Sequence, residues 1–489
     1  MKQVWRSLAI GCFLSSAVGS AAPGSDGWSV FNSLHFHLLT AEDAVTATQA
    51  LGFLERTHDA LTKTELFSVE AQSPVTIVAF RSEAEFAPYR PQPGVLALFQ
   101  HNRAGDLIVL QSLAPQNYPA AVHEYVHSLV AHSGLKLPLW LNEGLADAYS
   151  SIEFRRQEFV IGSAPSGRLE SLGAGRMLAL ETLFSIDRHS AFYNSAEPAY
   201  LFYAESWALV HMLLFDDGYS RGFPRFATGI SAGVPATECL QRIYGKSVDQ
   251  VMRDLSHHIQ RRMTTRLYPL APSDMQPTPE QLPATDGQIE IMLANVLAAS
   301  PARQAEAETR LATLSQRFPN DPRPEESLAD LALRRNDPEQ ARLHFVKAAE
   351  RNSTNPNVLY QAARLQQAAG APDLQVMDLL ERLLAIQPQN ESARLNLAVL
   401  AAREQDYGRA VSALSAMQSV SPEDAFTYFY TLAYCQARLK RFDIARKQGR
   451  QALRLAASPD QQRQAENLLR YSELASGKPD VTGISTPAL

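Results

Sequence analysis

Cysteine is scarce in this chain, and clustered positive charge and long apolar runs are missing from it. The 489 residues hold three cysteines, Cys12, Cys239 and Cys435, and none has a second cysteine or a histidine at metal-ligand spacing. A disulfide framework and a thiolate metal site are thereby excluded, and Cys239 and Cys435 read as fillers of separate cores. Forty-five Lys and Arg stand against 51 Asp and Glu, for a formal net charge of −6. With no basic run, the sequence carries no electrostatic footprint for nucleic acid. The one concentrated apolar stretch, Leu8 to Val18, is too short for a permanent membrane helix.

That stretch has a different reading. Lys2 and Arg6 precede it, and Ser20, Ala21 and Ala22 offer small residues for cleavage, so 1–22 reads as an export signal. The mature protein is expected outside the cytoplasm, in a bacterial periplasm or the medium, without a transmembrane helix. Cys12 follows Ala9, Ile10 and Gly11, a faint lipidation pattern, but the apolar segment before it is very short and argues against an anchor. The chain is 45% hydrophobic and 20% charged, ordinary for globular protein, and long enough for two or three domains.

The chemistry concentrates between Ala121 and Asp147. On a helix of about 3.6 residues per turn, His123 and His127 stand one turn apart on one face, so both imidazoles reach a single metal ion. Glu124 sits beside that site without occupying it. A catalytic zinc takes three protein ligands and keeps one position open, so one ligand is missing from the pair. Glu143 is the best candidate: Gly134 and Pro138 turn the chain back, and Asn142 can cap a second helix carrying Glu143 in its first turn. Asp147, one turn further on, is placed to accept the free ring N–H of a ligand histidine.

His123-Glu124-x-x-His127, followed by Trp140-Leu141-Asn142-Glu143-Gly144 and Ala146, resembles the gluzincin metallopeptidases. The wording is closest to their zinc aminopeptidase branch and to the bacterial peptidase MA-like proteins that carry helical repeats. The resemblance implies zinc bound by His123, His127 and Glu143, with Glu124 as general base. The His127 to Glu143 gap is shorter than in thermolysin-like enzymes, as in the MA-like group. No Gly-x-Met-Glu-Asn strand for a substrate amine is present, which argues against an N-terminal exopeptidase.

Upstream, from Trp28 to Ser112, residues 33–38 alternate with period two, 41–61 have helical spacing, and 75–80 and 107–110 are β-rich. The gluzincin resemblance implies a small sheet before the zinc helix whose edge strand binds extended substrate, with Val95 to Phe99 or Leu107 to Leu110 as that edge. His35 and His37 read as an exposed strand face rather than ligands. Residues 151–270 read as mainly helical. There, Tyr203 is the first choice and Tyr200 the second for the hydrogen-bond donor to a developing oxyanion, since a tyrosine at this distance serves that role in the resembled aminopeptidases. His211 reads as a satisfied core histidine.

Residues 271–287, with four prolines, read as an extended linker. Beyond it Pro322, Pro356, Pro388, Pro422 and Pro459 recur at intervals of 32 to 37 residues. Ala307, Ala341, Val376, Ala410 and Ala445 fill one small position, and Leu397, Ala398, Tyr407, Ala410, Leu414 and Pro422 fit the tetratricopeptide pattern. This resemblance covers 288–470 and implies a solenoid with a groove for peptides or partner proteins. The tail, 471–489, is expected to be disordered.

The fold expectation is therefore α+β: a gluzincin-like domain of small sheet and helices over 28–270, then an all-α tetratricopeptide solenoid. The functional expectation is an exported zinc endopeptidase acting on peptide or protein substrates, its repeats recruiting substrate or partner. The alternative is a non-catalytic envelope adaptor in which the repeats bind partners and the metal site is vestigial.

Overall fold

The computed structural model describes residues 27–476 except 65–66, 68–73, 91–94, 102–104, 157, 166, 175–176, 195, 262 and 270–277. The expected export signal and Cys12 lie outside these residues. Strands β1 (Ser29–Asn32), β2 (Phe36–Thr40), β3 (Val75–Ala79), β4 (Ala97–Gln100) and β5 (Leu107–Leu110) open the chain, with helices α1 (Ala44–Thr62) and α2 (Glu83–Phe86) between them. Asp43 caps α1 by accepting from the Val45 and Thr46 amides. Helices α3 (Tyr118–His132) and α4 (Leu139–Ser150) follow, then β6 (Glu153–Phe154), β7 (Glu158–Ile161), and helices α5 (Arg168–Ala174), α6 (Leu180–Ser185), α7 (Ala191–Asn194), α8 (Ala196–Phe215), α9 (Phe223–Ser231), α10 (Ala236–Tyr244) and α11 (Val248–Gln260). Strand β8 (Arg266–Pro269) completes a three-stranded sheet in the order β6-β7-β8, an element that the helical reading of 151–270 misses.

The main sheet has six strands in the order β4-β5-β3-β2-β1-β9, where β9 is Glu280–Pro283. Strands β2, β3 and β5 run parallel, while β4, β1 and β9 are antiparallel to their neighbours. The parallel strands are apolar on both faces, and each face enters a different core. Phe36, Leu38, Ile77 and Ile108 enter the core shared with α1, α3, α4 and α8; Leu39, Val78, Leu107 and Val109 enter the other. Position decides between the two candidate edges: β4 is the edge strand, and β5 is internal with all four residues buried.

Two domain boundaries differ from the sequence reading. The expected linker contains β9, which pairs with β1 from Ser29↔Pro283 to Asn32↔Glu280, so the chain returns to the first sheet before leaving it. Helices α12 (Asp286–Ala298) and α13 (Gln304–Arg317) then cover the second face of that sheet, where Ile289, Leu293, Val296 and Leu311 share a core with Trp28, Val78, Phe80 and Phe86. The start of the helical array is thus a structural layer of the first domain. Polyproline stiffness explains the linker reading, but edge pairing needs only main-chain groups, which Leu282 and its neighbours supply.

The array continues as antiparallel pairs: α14 (Arg323–Arg334) with α15 (Pro338–Glu350), α16 (Pro356–Ala368) with α17 (Asp373–Ile386), α18 (Glu391–Arg403) with α19 (Tyr407–Ser415), and α20 (Ala425–Arg438) with α21 (Phe442–Leu455). A terminal helix, α22 (Pro459–Ser476), packs on α21. It buries Tyr471, Ser472 and Ala475, so order extends past 471, where a disordered tail is expected. Each pair turns on one left-handed residue, Asn336, Gly370, Gln405 and Lys440 in succession. The recurrent prolines sit at or just before the first helix of each unit, where a missing N–H costs nothing. Among the described residues no helix is long and apolar enough to cross a membrane. Cys239 and Cys435 are buried and unbridged.

Candidate metal centre

Helix α3 starts with Pro119 in its first turn and buries Ala121, Val122, Tyr125, Val126, Leu129 and Val130 against the sheet and α4. This face fixes the rotation of the helix, and the partly exposed His123, Glu124 and His127 fall on the adjoining one. Helix α4 begins at Leu139, three residues before the expected cap, with Pro138 at its N-cap. Asn142 therefore lies inside the helix, and its side-chain oxygen stands 3.2 Å from Nδ1 of His127.

Gly144 sets the depth of Glu143. A β-carbon at 144 would overlap the Ser206 carbonyl of α8 and come within 2.5 Å of Val210 Cγ2, so the two helices meet backbone to side chain at this point. The contact presses Glu143 toward α3. Nε2 of His123 and Nε2 of His127 are 3.2 Å apart, and Oε2 of Glu143 lies 3.3 Å from the first and 3.5 Å from the second. A tetrahedral zinc with bonds of about 2.0–2.1 Å has ligand edges of about 3.3–3.4 Å, so this triangle fits such an ion without rearrangement.

The remaining ring nitrogens are also committed. Nδ1 of His123 is 3.0 Å from Oδ1 of Asp147, whose other oxygen accepts from Arg168 Nε at 2.7 Å. With Nδ1–H donated to Asp147 and Asn142, both imidazoles present their Nε2 lone pairs to one point.

Pairing works against burial at these groups. Burial disfavours charge on His123, yet its hydrogen bonds to Asp147 and Glu143 outweigh burial and hold its pKa well above the usual imidazole value. Burial likewise pushes Glu143 up, but His127 and His123 overcome it and hold the carboxyl far below its ordinary range. Glu124 is raised, chiefly by burial, with the two histidines pulling it down and Glu143 pushing it up; the Phe99 backbone of β4 also donates to it.

Tyr203 of α8 is near enough to Glu143 to feel its charge and hydrogen-bonds Tyr193, whereas Tyr200 is 64% exposed. Burial first, then the charge of Glu143 and the neighbouring Tyr193, raise the Tyr203 pKa, so its hydroxyl stays protonated. The Arg168 guanidinium lies 5.0 Å from the centre of the Tyr203 ring. Sequence reasoning missed Arg168, Tyr193 and the part played by Phe99. None has a fixed spacing from the His-Glu-x-x-His run; Arg168 meets Asp147 of α4 and Tyr193 packs on Phe202 and Tyr203 of α8 only in the folded chain.

Other histidines resolve differently. His35 and His37 are half-buried rather than on an open strand face: His35 Nδ1 lies 2.6 Å from Glu55, its ring stacks on His58 at 3.6 Å, and His37 Nδ1 is 2.8 Å from Asn32. His211 is buried between the Gly162 carbonyl and His258, each at 2.8 Å.

Fold and site together define an α+β domain bearing a His₂Glu triangle, continuous with a stack of helix pairs. No family model matches the chain, and no curated protein does. Solved structures similar to it include YrrB, described as a TPR protein with an unusual peptide-binding site, at 17% identity over 36% of this chain and 90% of that one, with a TM-score of 0.30. MamA from Desulfovibrio magneticus RS-1 is similar at 17% identity over 32% and 87%, with a TM-score of 0.27. TTC0263, a thermophilic TPR protein in Thermus thermophilus, is similar at 18% identity over 38% and 99%, with a TM-score of 0.22. At these scores the likenesses add nothing to the helix-pair geometry described above.

Proposed function

We propose that the chain is an exported zinc-dependent peptidase of gluzincin type, an endopeptidase whose tetratricopeptide-like array recruits substrate or partner proteins. The observation that carries this reading is the His123, His127 and Glu143 triangle, whose edges suit a tetrahedral ion and whose second ring nitrogens are already engaged. Two imidazoles and one carboxylate are the donor set of a hydrolytic zinc with open positions. When bound, zinc lowers the pKa of water and polarises a carbonyl.

The rest of the chemistry falls to the protein. Glu124, adjacent to His123 and with its affinity for protons raised, takes the proton of the attacking water and passes it to the leaving nitrogen. Tyr203 supplies an O–H donor to the developing oxyanion. Edge strand β4 offers main-chain groups to an extended peptide alongside Glu124.

A second reading is a non-catalytic envelope adaptor whose helix pairs bind protein partners while the metal site is vestigial. The length of the array, which runs from Asp286 to Ser476, favours a partner-binding role and is compatible with either reading.

The test is Glu124→Gln in the full chain, assayed on an unfolded protein substrate with zinc content measured in parallel. The peptidase reading expects unchanged zinc and a fall in hydrolysis of about 10²–10⁴-fold. Zinc-loaded wild type without hydrolysis above the variant overturns it in favour of the adaptor. Under the peptidase reading, Tyr203→Phe lowers kcat about 10²–10³-fold with KM little changed, and Tyr200→Phe has no effect.

A further inference from the structure

A second cluster of metal-ligand type lies at the far end of α3. His101 follows β4, Asp106 precedes β5, and His132 is the last residue of α3. Their candidate ligand atoms all lie within 4.8 Å of one another. Nδ1 of His101 is 2.7 Å from Oδ1 of Asp106, and Nε2 of His132 is 3.1 Å from Oδ2. The two imidazole rings are 5.4 Å apart at 74°, close to the 4.8 Å and 87° of the His123 and His127 rings. Two histidine pairs in one domain thus stand in a crossed arrangement, each beside a carboxylate.

Asp106 is the buried anchor of the cluster. Its side chain is 2% exposed, and its ion pairs among the described residues are with His101 and His132. A further hydrogen bond comes from Ser128 Oγ at 2.5 Å. Two imidazoles and a buried carboxylate gathered at one place form a mixed nitrogen and oxygen donor set of the kind that holds a divalent ion.

We propose that His101, Asp106 and His132 form a second site for a divalent transition-metal ion of the zinc class. Two nitrogens and one carboxylate select such an ion over calcium or magnesium, which take oxygen ligands. The side chains of His101 and His132 are 52% and 37% exposed, so water completes the coordination from the solvent side. The two rings approach different oxygens of the Asp106 carboxylate, His101 at Oδ1 and His132 at Oδ2. The ion ties the end of β4 to the end of α3. This clamp acts at Gln100 and His101, next to Phe99, whose backbone contacts Glu124. The site therefore braces the edge strand, and it stands independently of whatever reaction occurs at the first centre.

The test is equilibrium dialysis of the full chain against micromolar zinc, followed by elemental analysis of wild type and of His101→Ala, His101→Gln, His132→Ala and His123→Ala. His101 also pairs with the buried Asp106, so each variant is compared with the wild type by circular dichroism before its zinc is counted. The expected result is about two zinc ions per wild-type chain and loss of about one in each variant, with His101→Ala combined with His123→Ala retaining none. The proposal is overturned if both His101 variants, still folded by circular dichroism, keep the wild-type zinc content.

Discussion

Asp147 and His123 meet across two helices, carboxylate Oδ1 to ring Nδ1 at 3.0 Å, and Arg168 secures the carboxylate from behind at 2.7 Å. The bond fixes which nitrogen of His123 is free for a metal. It also lends the ring negative charge that strengthens it as a ligand. Replacing Asp147 by Asn keeps the shape but removes the charge. Zinc affinity, measured by competition with a chromogenic chelator, is expected to fall about 10–100-fold while the fold is retained.

Gly144 makes a different kind of prediction. Its missing side chain admits the Ser206 carbonyl and Val210, and a methyl group there must separate α4 from α8. Gly144→Ala is expected to lower the stability of the first domain by about 1–3 kcal/mol, the usual scale of overpacking, despite the better helix propensity of alanine. Because Glu143 is the adjacent residue, zinc affinity should fall along with the melting temperature. A variant with wild-type melting and zinc binding would show that α8 yields at no cost.

Where the chain is cut decides whether the first domain survives alone. Trp28, Val78, Phe80 and Phe86 are covered by α12 and α13. A chain ending after Asp321 keeps that layer and is expected to stay monomeric and bind zinc. A chain ending after Gly287 bares the sheet face and is expected to aggregate. Size-exclusion chromatography of the two truncations separates these outcomes.

Glu325 gives the helical array an acid-sensitive joint. It is 2% exposed, accepts from Ser315 at 2.6 Å, and pairs with His344 at 2.6 Å and Arg351 at 3.0 Å, joining α13, α14 and α15. Burial alone raises a carboxyl pKa, but these partners, His344 foremost, hold it down at about 2, against an ordinary glutamate value of 4.5. A carboxyl depressed on folding contributes stability that is fully present above about pH 4.5 and is lost as pH falls toward about 2. The shift corresponds to about 3 kcal/mol. Chemical denaturation between pH 6 and pH 3 is expected to reveal a loss for the wild type that is smaller in Glu325→Gln, which starts less stable.

Whatever depends on spacing along one helix, or on recurrence along the chain, was legible in the residues themselves. His123 and His127 share a face because they are four apart; the prolines and small residues recur because each helix pair needs the same turn and the same close approach. Glu143 and Asp147 were legible for the same local reason, one turn apart on the next helix. Contacts across long separations came only with folding. Arg168 and Tyr193 reach α4 and α8 through packing, and β4 becomes an edge because β5 pairs inside it. Glu280–Pro283 joins the first sheet through main-chain hydrogen bonds, which no side-chain pattern records. His101, Asp106 and His132 likewise carry no spacing signature; they converge because one helix end is packed beside one strand turn.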